Sequence, residues 1–158
     1  MILNNIAQSW QYSLKDNDIT NLEASHSKLK NKKLVSFNAD KDKSRIFSSN
    51  KDKSGVYMWT NLKTNEKYIG SAIDLAKELK DYYRIFSNKI SVRNSNIYTA
   101  ILSYGYSSFS LTILEFVDIH NLDKAEASKL ILKRKRYFMN TFKPEYNKKI
   151  VSKEQLPQ

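Results

Sequence analysis

Two stretches of strand-forming residues on either side of a polar turn predict a β-hairpin in the middle of the chain. Residues 56–60 are β-branched, aromatic or apolar, which suits a pleated and half-buried strand. A polar stretch at residues 61–65 follows, and its asparagines tolerate turn geometry. Residues 68–70 then supply a second strand that ends in glycine. We therefore expect residues 54–70 to form the hairpin around which the chain folds.

Helical and strand-like periodicity continues after this hairpin. Residues 73–86 and 96–104 have the spacing of helices, and Gly105 follows the second as a stop signal. Residues 109–117 alternate as a third strand. A last helix is expected to begin after Asp123, to run to about Phe142 and to stop before Pro144. The predicted fold class is α+β, with a small three-stranded antiparallel sheet flanked by helices.

The N-terminal third has a different composition. Ile2, Ile6, Trp10 and Leu14 form a helical stripe, which fits docking on the same domain or on a partner equally well. Residues 15–53 are rich in Lys, Asn, Asp and Ser and can bury little apolar surface. We expect three parts: a basic polar extension over 1–53, a folded domain over 54–147 and a short C-terminal tail over 148–158.

Net charge narrows the class of partner. The formal charge is +11, from 27 Lys and Arg against 16 Asp and Glu, which favours a polyanionic partner. The excess lies on the flanks: residues 55–118 carry seven basic and six acidic side chains, whereas residues 119–158 carry ten and four. The chain has no cysteine, so disulfides and thiolate metal sites are excluded. No apolar run approaches the length of a membrane span.

Two triplets in the predicted hairpin carry a specific signal. Gly55-Val56-Tyr57 and Tyr68-Ile69-Gly70 are joined by the polar turn and resemble the paired triplets of the GIY-YIG nuclease family, with Val in place of Ile. The stretch from Tyr104 to Phe116 is similar to one in fungal mitochondrial, intron-encoded members. Lys143-Pro144-Glu145-Tyr146-Asn147 matches the closing motif of the family. The resemblance spans about residues 54–147.

The resemblance implies a metal-dependent phosphodiesterase that cuts one DNA strand at a time. Tyr57 and Tyr68 match the active-site tyrosines, Tyr82 falls where members carry His or Tyr, and Asn147 matches the closing asparagine. The family also uses an arginine on its first helix to stabilise the phosphate and a glutamate on a later helix to hold a divalent ion.

Both of these charged positions are reversed in sign. Glu78 stands where the family has its arginine, and Lys135 stands where it has its metal-binding glutamate. A carboxylate repels a phosphate that is gaining negative charge, and an ammonium group has no lone pair for a cation. We therefore expect a vestigial site without catalysis or metal, in which Glu78 and Lys135 project into one cleft beside the tyrosines. His26 and His120 are isolated and fit solvated positions better than metal ligation.

Basic side chains in the last helix, the tail and the N-terminal extension form a predicted phosphate-binding set. Its members are Lys30, Lys32, Lys33, Lys129, Lys133, Arg134, Arg136, Lys143, Lys148 and Lys149.

Two classes of function remain open at this point. The first is an inactive endonuclease-like protein that binds nucleic acid, with rRNA as the expected partner together with neighbouring proteins, as a structural component of a mitochondrial ribonucleoprotein such as the mitochondrial ribosome. It would need no cofactor. The second is an active intron-encoded homing endonuclease that uses Mg²⁺, and an intron maturase that binds RNA without cutting is a further alternative. A Lys-rich composition typical of AT-rich codons favours an organellar gene, so a mitochondrial location is expected.

Overall fold

The computed structural model describes residues 34–84 and 96–148. The predicted stripe at residues 2–14 and the basic residues Lys30, Lys32, Lys33 and Lys149 lie outside these ranges, as does His26. Within them the chain forms an α+β fold, which confirms the predicted fold class. Its elements in chain order are β1 (Val35–Asn38), α1 (Lys43–Ser49), β2 (Gly55–Asn61), β3 (Lys67–Ala72), α2 (Leu75–Tyr82), α3 (Asn96–Tyr104), β4 (Phe109–Phe116) and α4 (Lys124–Phe142).

The predicted hairpin is present as β2 and β3. The two strands are antiparallel, with Tyr57 opposite Gly70 in the register. The Asn61 side-chain oxygen accepts hydrogen bonds from the backbone N–H groups of Lys63 and Thr64, at 2.9 and 3.3 Å. Asn65 closes the turn with φ 62°, a left-handed conformation that asparagine tolerates better than most residues. The polar turn therefore fixes the register that faces the two triplets toward each other.

The sheet has four strands rather than the expected three. Its order is β1-β4-β2-β3, and every neighbouring pair is antiparallel. The additional strand, β1, pairs with β4 from Val35 opposite Ile113 to Asn38 opposite Ser110. The apolar residues Val35 and Phe37 alternate with polar ones in β1, but a strand of four residues within a polar segment is too short to give a clear period.

The boundary expected at residue 53 was also misplaced. Phe37, Ala39 and Ile46 belong to the same buried cluster as Trp59 and Leu111, so the folded domain begins no later than β1. Helix α1 fully buries Ile46, packs the partly buried Phe47 against the core, and is otherwise polar. Residues 34–53 have the polar composition of a disordered segment because only a few of their side chains are apolar. Those few side chains are the ones that pack in the core.

Helix boundaries follow local capping chemistry. The Asp74 carboxylate accepts the Lys77 backbone N–H at the start of α2, which is shorter than the predicted 73–86. Asp123 and Glu126 form a complete capping box at the start of α4. Gly105 follows α3 with φ 80°, as its position after the helix predicted. Within the described ranges, no helix is both long and apolar enough to cross a membrane.

Gly55 provides a test of strand packing. A Cβ at this position would overlap the backbone carbonyl oxygen of Glu115 on β4, which cannot move without breaking the strand pair. Gly55→Ala should lower the free energy of unfolding by about 1–3 kcal/mol, as overpacking does, when measured by urea titration. Ser71→Ala on β3 is the control and should change the stability by well under 1 kcal/mol; equal effects would contradict the crowding argument.

Candidate active-site cleft

The glycine of the second triplet makes room for the tyrosine of the first. Gly70 lies opposite Tyr57 in the hairpin, and a Cβ on Gly70 would overlap the ring of Tyr57. The ring therefore lies across the bare backbone of β3, and Tyr57 is only 1% exposed. One packing requirement, the close approach of an aromatic ring to a strand, thus links the tyrosine of the first triplet to the glycine of the second.

Three tyrosines of the predicted site form a hydroxyl cluster. The hydroxyl groups of Tyr57 and Tyr82 lie 2.9 Å apart, and Tyr68 lies within electrostatic range of both. Burial raises the pKa of Tyr57 and of Tyr82 well above the ordinary value of 10.0, and it raises the pKa of Tyr68 as well. All three hydroxyls therefore stay protonated near neutral pH, where they donate and accept hydrogen bonds but do not supply a phenolate base.

Glu78 faces this cluster from helix α2. Its Oε1 accepts a hydrogen bond from the Tyr57 hydroxyl at 3.3 Å, and the negative charge of Glu78 adds to the rise in the pKa of Tyr57. A carboxylate therefore lies beside the matched tyrosines, where the resemblance implies a cation. In an effective dielectric of about 20, two unit charges about 5 Å apart interact by about 3 kcal/mol, so the reversal turns an attraction for phosphate into a repulsion of similar size.

Lys135 reaches the same cleft from helix α4. Desolvation of its half-buried ammonium group lowers the pKa of Lys135, and the negative charge of Glu78 opposes this change. No direct ion pair joins Glu78 and Lys135, although both residues lie in the described part of the chain. The two reversed charges are therefore close enough to interact through space without an ion pair. Across residues 34–84 and 96–148, no group of three or more His, Cys, Asp or Glu side chains is placed to hold a metal ion.

Asn147 has a structural role at the edge of the sheet. Its side-chain oxygen accepts the backbone N–H of Ile69 and its amide nitrogen donates to the carbonyl oxygen of Ile69, both at 2.8 Å. Glu145 accepts the backbone N–H of Lys67 at 2.8 Å. The closing motif therefore covers the open edge of β3 as a further strand would, and Asn147 engages the backbone of the second triplet rather than the tyrosine hydroxyls.

The predicted phosphate-binding residues divide into two groups. Lys129, Lys133, Arg136, Lys143 and Lys148 are exposed. Arg134 is less available to bind a phosphate, because it already has partners within the domain. Its Nε donates to the Glu115 carboxylate at 2.7 Å, and its guanidinium lies over the ring of Tyr137. Sequence reasoning placed Arg134 with the others because its partner lies on β4, far away in the sequence. His120 is exposed, which agrees with a solvated position.

Comparison with known proteins places these features in a family. The GIY-YIG catalytic domain family matches residues 53–149 of the chain, which include both triplets, Glu78, Lys135 and Asn147. The chain belongs to the GIY-YIG family. Two solved structures are similar to it: the catalytic domain of the homing endonuclease I-TevI, and a mutant of the catalytic domain of the intron endonuclease I-TevI. The first is 24% identical in sequence; the match covers 63% of this chain and 100% of that structure, with a TM-score of 0.46. The second is 23% identical; the match covers 63% of this chain and 97% of that structure, with a TM-score of 0.48.

Further aromatic residues support this GIY-YIG cleft without belonging to the motif. The ring of Tyr98 stacks on Tyr82 with centroids 5.0 Å apart, and Trp59 lies 5.1 Å from Tyr82 on another side. The Tyr106 hydroxyl donates to the backbone oxygen of Tyr82. These contacts join three elements that are distant in sequence, so no short-range pattern could have identified them.

The Asn147 amide can be tested by a single-atom change. Asn147→Asp keeps an acceptor for the Ile69 N–H but places a carboxylate oxygen against the Ile69 carbonyl, so stability at pH 7 should fall by about 1–3 kcal/mol. Asn140→Asp, at an exposed position of α4, is the matched control and should change little. Part of the loss should be recovered below about pH 4, relative to the wild-type protein at the same pH, because a protonated carboxyl donates again. Equal stabilities of the two variants from about pH 4 to pH 7 would contradict the two hydrogen bonds between the Asn147 amide and the Ile69 backbone.

A double-mutant cycle tests whether Glu78 and Lys135 share the cleft. Glu78→Gln, Lys135→Gln and the double variant should give a favourable coupling of about 0–1 kcal/mol by urea unfolding, because the pair is partly exposed and not in direct contact. The coupling should shrink in about 1 M salt, where charges are screened over about 3 Å. A repulsive coupling would show that the two side chains do not face each other as opposite charges.

Proposed function

We propose that this GIY-YIG domain binds nucleic acid without cutting it. The observation that carries the proposal is the position of Glu78, whose carboxylate accepts a hydrogen bond from Tyr57 in the place where phosphate would approach. A phosphodiester that enters this cleft places its negative charge next to the negative charge of Glu78, and the repulsion acts before any bond is broken.

The opposite wall of the cleft supports the same proposal. Lys135 has three donors and no acceptor, so it does not replace a carboxylate as a metal ligand. A Mg²⁺ ion prefers oxygen ligands, and the hydroxyl cluster of Tyr57, Tyr68 and Tyr82 is neutral because burial raises the pKa of each group. A divalent ion in the cleft would be held by Glu78 and water alone, with the Lys135 ammonium as a repelling neighbour.

The cellular role that fits these properties is structural. We infer that the protein is a component of a mitochondrial ribonucleoprotein, such as the mitochondrial ribosome, with rRNA and neighbouring proteins as partners. Its net charge of +11 suits a phosphate-rich environment, and basic residues bind RNA backbones without needing a catalytic cleft. This role requires no cofactor.

A nicking assay tests the loss of cleavage. The wild-type protein should leave supercoiled plasmid DNA intact in Mg²⁺, because neither charge in the cleft assists the reaction. Glu78→Arg combined with Lys135→Glu is the comparison: nicking gained by this variant alone would show that the two charges account for the loss. Wild-type nicking that disappears in Glu78→Gln would contradict the proposal and assign Glu78 as a metal ligand.

A sedimentation experiment tests the structural role. In a mitochondrial lysate at low salt, tagged protein should move with ribosomal subunits through a sucrose gradient, and RNase treatment should release it to the top. Protein that remains at the top in untreated lysate would exclude a stable ribonucleoprotein role.

A further inference from the structure

We propose that the outer face of helix α4 is the surface that holds an RNA phosphate backbone. This inference rests on the proposed nucleic-acid binding and assigns it to three side chains of the helix, Lys129, Lys133 and Arg136, together with Lys143 directly after it. We call these four residues the basic stripe.

Helix geometry brings the stripe together. At 3.6 residues per turn, Lys133 and Arg136 project within about 40° of the direction of Lys129. Lys143 follows the last helical residue, Phe142, in a left-handed conformation, and its side chain is exposed. Of the four buried residues of α4, Ala127, Ile131 and Phe138 project from the opposite side, at about 160–200°, and Tyr137 projects at about 80°. All four members of the stripe are exposed and face away from the core. Along the helix axis, Lys129 and Arg136 are about 10 Å apart, at a rise of 1.5 Å per residue.

Nearby acidic side chains are engaged elsewhere. Residues 127–144 contain six Lys and Arg and no Asp or Glu. Glu126, the nearest acid before the stripe, accepts the Asp123 backbone N–H in the capping box. Glu145, the nearest acid after it, accepts the Lys67 backbone N–H, and Glu115 is paired with Arg134. None of the ion pairs in the described ranges includes a member of the stripe.

Other basic regions of the described chain differ from this stripe. Arg45 is paired with Asp42 and Arg84 with Asp81, and helix α2 alternates Lys77 and Lys80 with Glu78 and Asp81. A mixed surface of this kind is ordinarily solvated and gives little attraction for a polyanion. The stripe is a set of exposed cations that form no ion pair within the described residues and whose nearest helical acid, Glu126, lies at the N-terminal end of α4, so it complements the charge of a nucleic-acid backbone. Lysine and arginine contacts of this type position the backbone without reading bases.

Fluorescence anisotropy on the full chain tests the assignment. The probe is a labelled 20-base-pair RNA duplex, titrated at several KCl concentrations. Lys129→Gln, Lys133→Gln and Arg136→Gln are combined in one variant. The control combines Lys41→Gln, Lys51→Gln and Lys63→Gln, which removes the same charge from exposed lysines outside α4. Circular dichroism and thermal melting should show both variants folded, because every altered side chain is exposed.

The stripe variant should bind the RNA at least tenfold more weakly than the wild type, and the slope of log K against log salt should fall by about 2–3. The control should lose less than threefold. Equal losses would overturn the stripe and show that binding follows net charge, while nucleic-acid binding itself would stand. A wild-type protein that does not bind the duplex would remove the proposed binding as well. Binding at least tenfold tighter to the DNA duplex of the same sequence would overturn RNA as the partner.

Discussion

The fold depends on the close approach of the Tyr57 ring to the bare backbone at Gly70. This contact requires glycine on one strand of the hairpin, fixes the register of β2 against β3 and buries a hydroxyl group in the centre of the domain. A buried hydroxyl must find a partner, and Tyr82 supplies one at 2.9 Å. Tyr82 is in turn held by the rings of Trp59 and Tyr98, so helix α2 and helix α3 are positioned through the same tyrosine. The motif tyrosines therefore support the core whether or not the domain performs chemistry.

The separation of scaffold from chemistry explains how the cleft keeps its shape with its charges reversed. The hydroxyl cluster is neutral, so its hydrogen bonds do not depend on a cation from α2 or a carboxylate from α4. Glu78 accepts a hydrogen bond from the Tyr57 hydroxyl, and an arginine, which has no acceptor, could not do this. Lys135 remains half-buried and desolvated, with only the distant charge of Glu78 in its favour. The cleft is therefore stable as a structural feature and poorly arranged for the stabilisation of a phosphate.

Local signals in the sequence predicted the parts of the molecule that depend on local chemistry. The hairpin, the capping box of α4 and the stop at Gly105 each arise from a few adjacent residues, and the structure has all three. The strand β1 was not predicted, because it is four residues long and lies in a polar segment, and its place in the sheet comes from pairing with the distant strand β4. The spacing of the family motifs was the only basis for predicting that Tyr57, Tyr68, Glu78 and Lys135 lie near one another. It gave no indication that Asn147 binds the Ile69 backbone or that Arg134 is paired with Glu115, since both contacts are made between distant segments.

Helix α4 serves two surfaces that are nearly independent of each other. Lys135 and Arg136 are adjacent in the sequence, yet they project about 100° apart, one into the cleft and one to solvent. A helix with its side chains is about 10–12 Å across, whereas charges at physiological ionic strength are screened over about 8 Å. A change of sign at Lys135 therefore alters the potential in the cleft much more than it alters the potential over Lys129 and Lys133. Because of this geometry, the proposed loss of cleavage and the proposed binding of a phosphate backbone depend on different faces of the same helix.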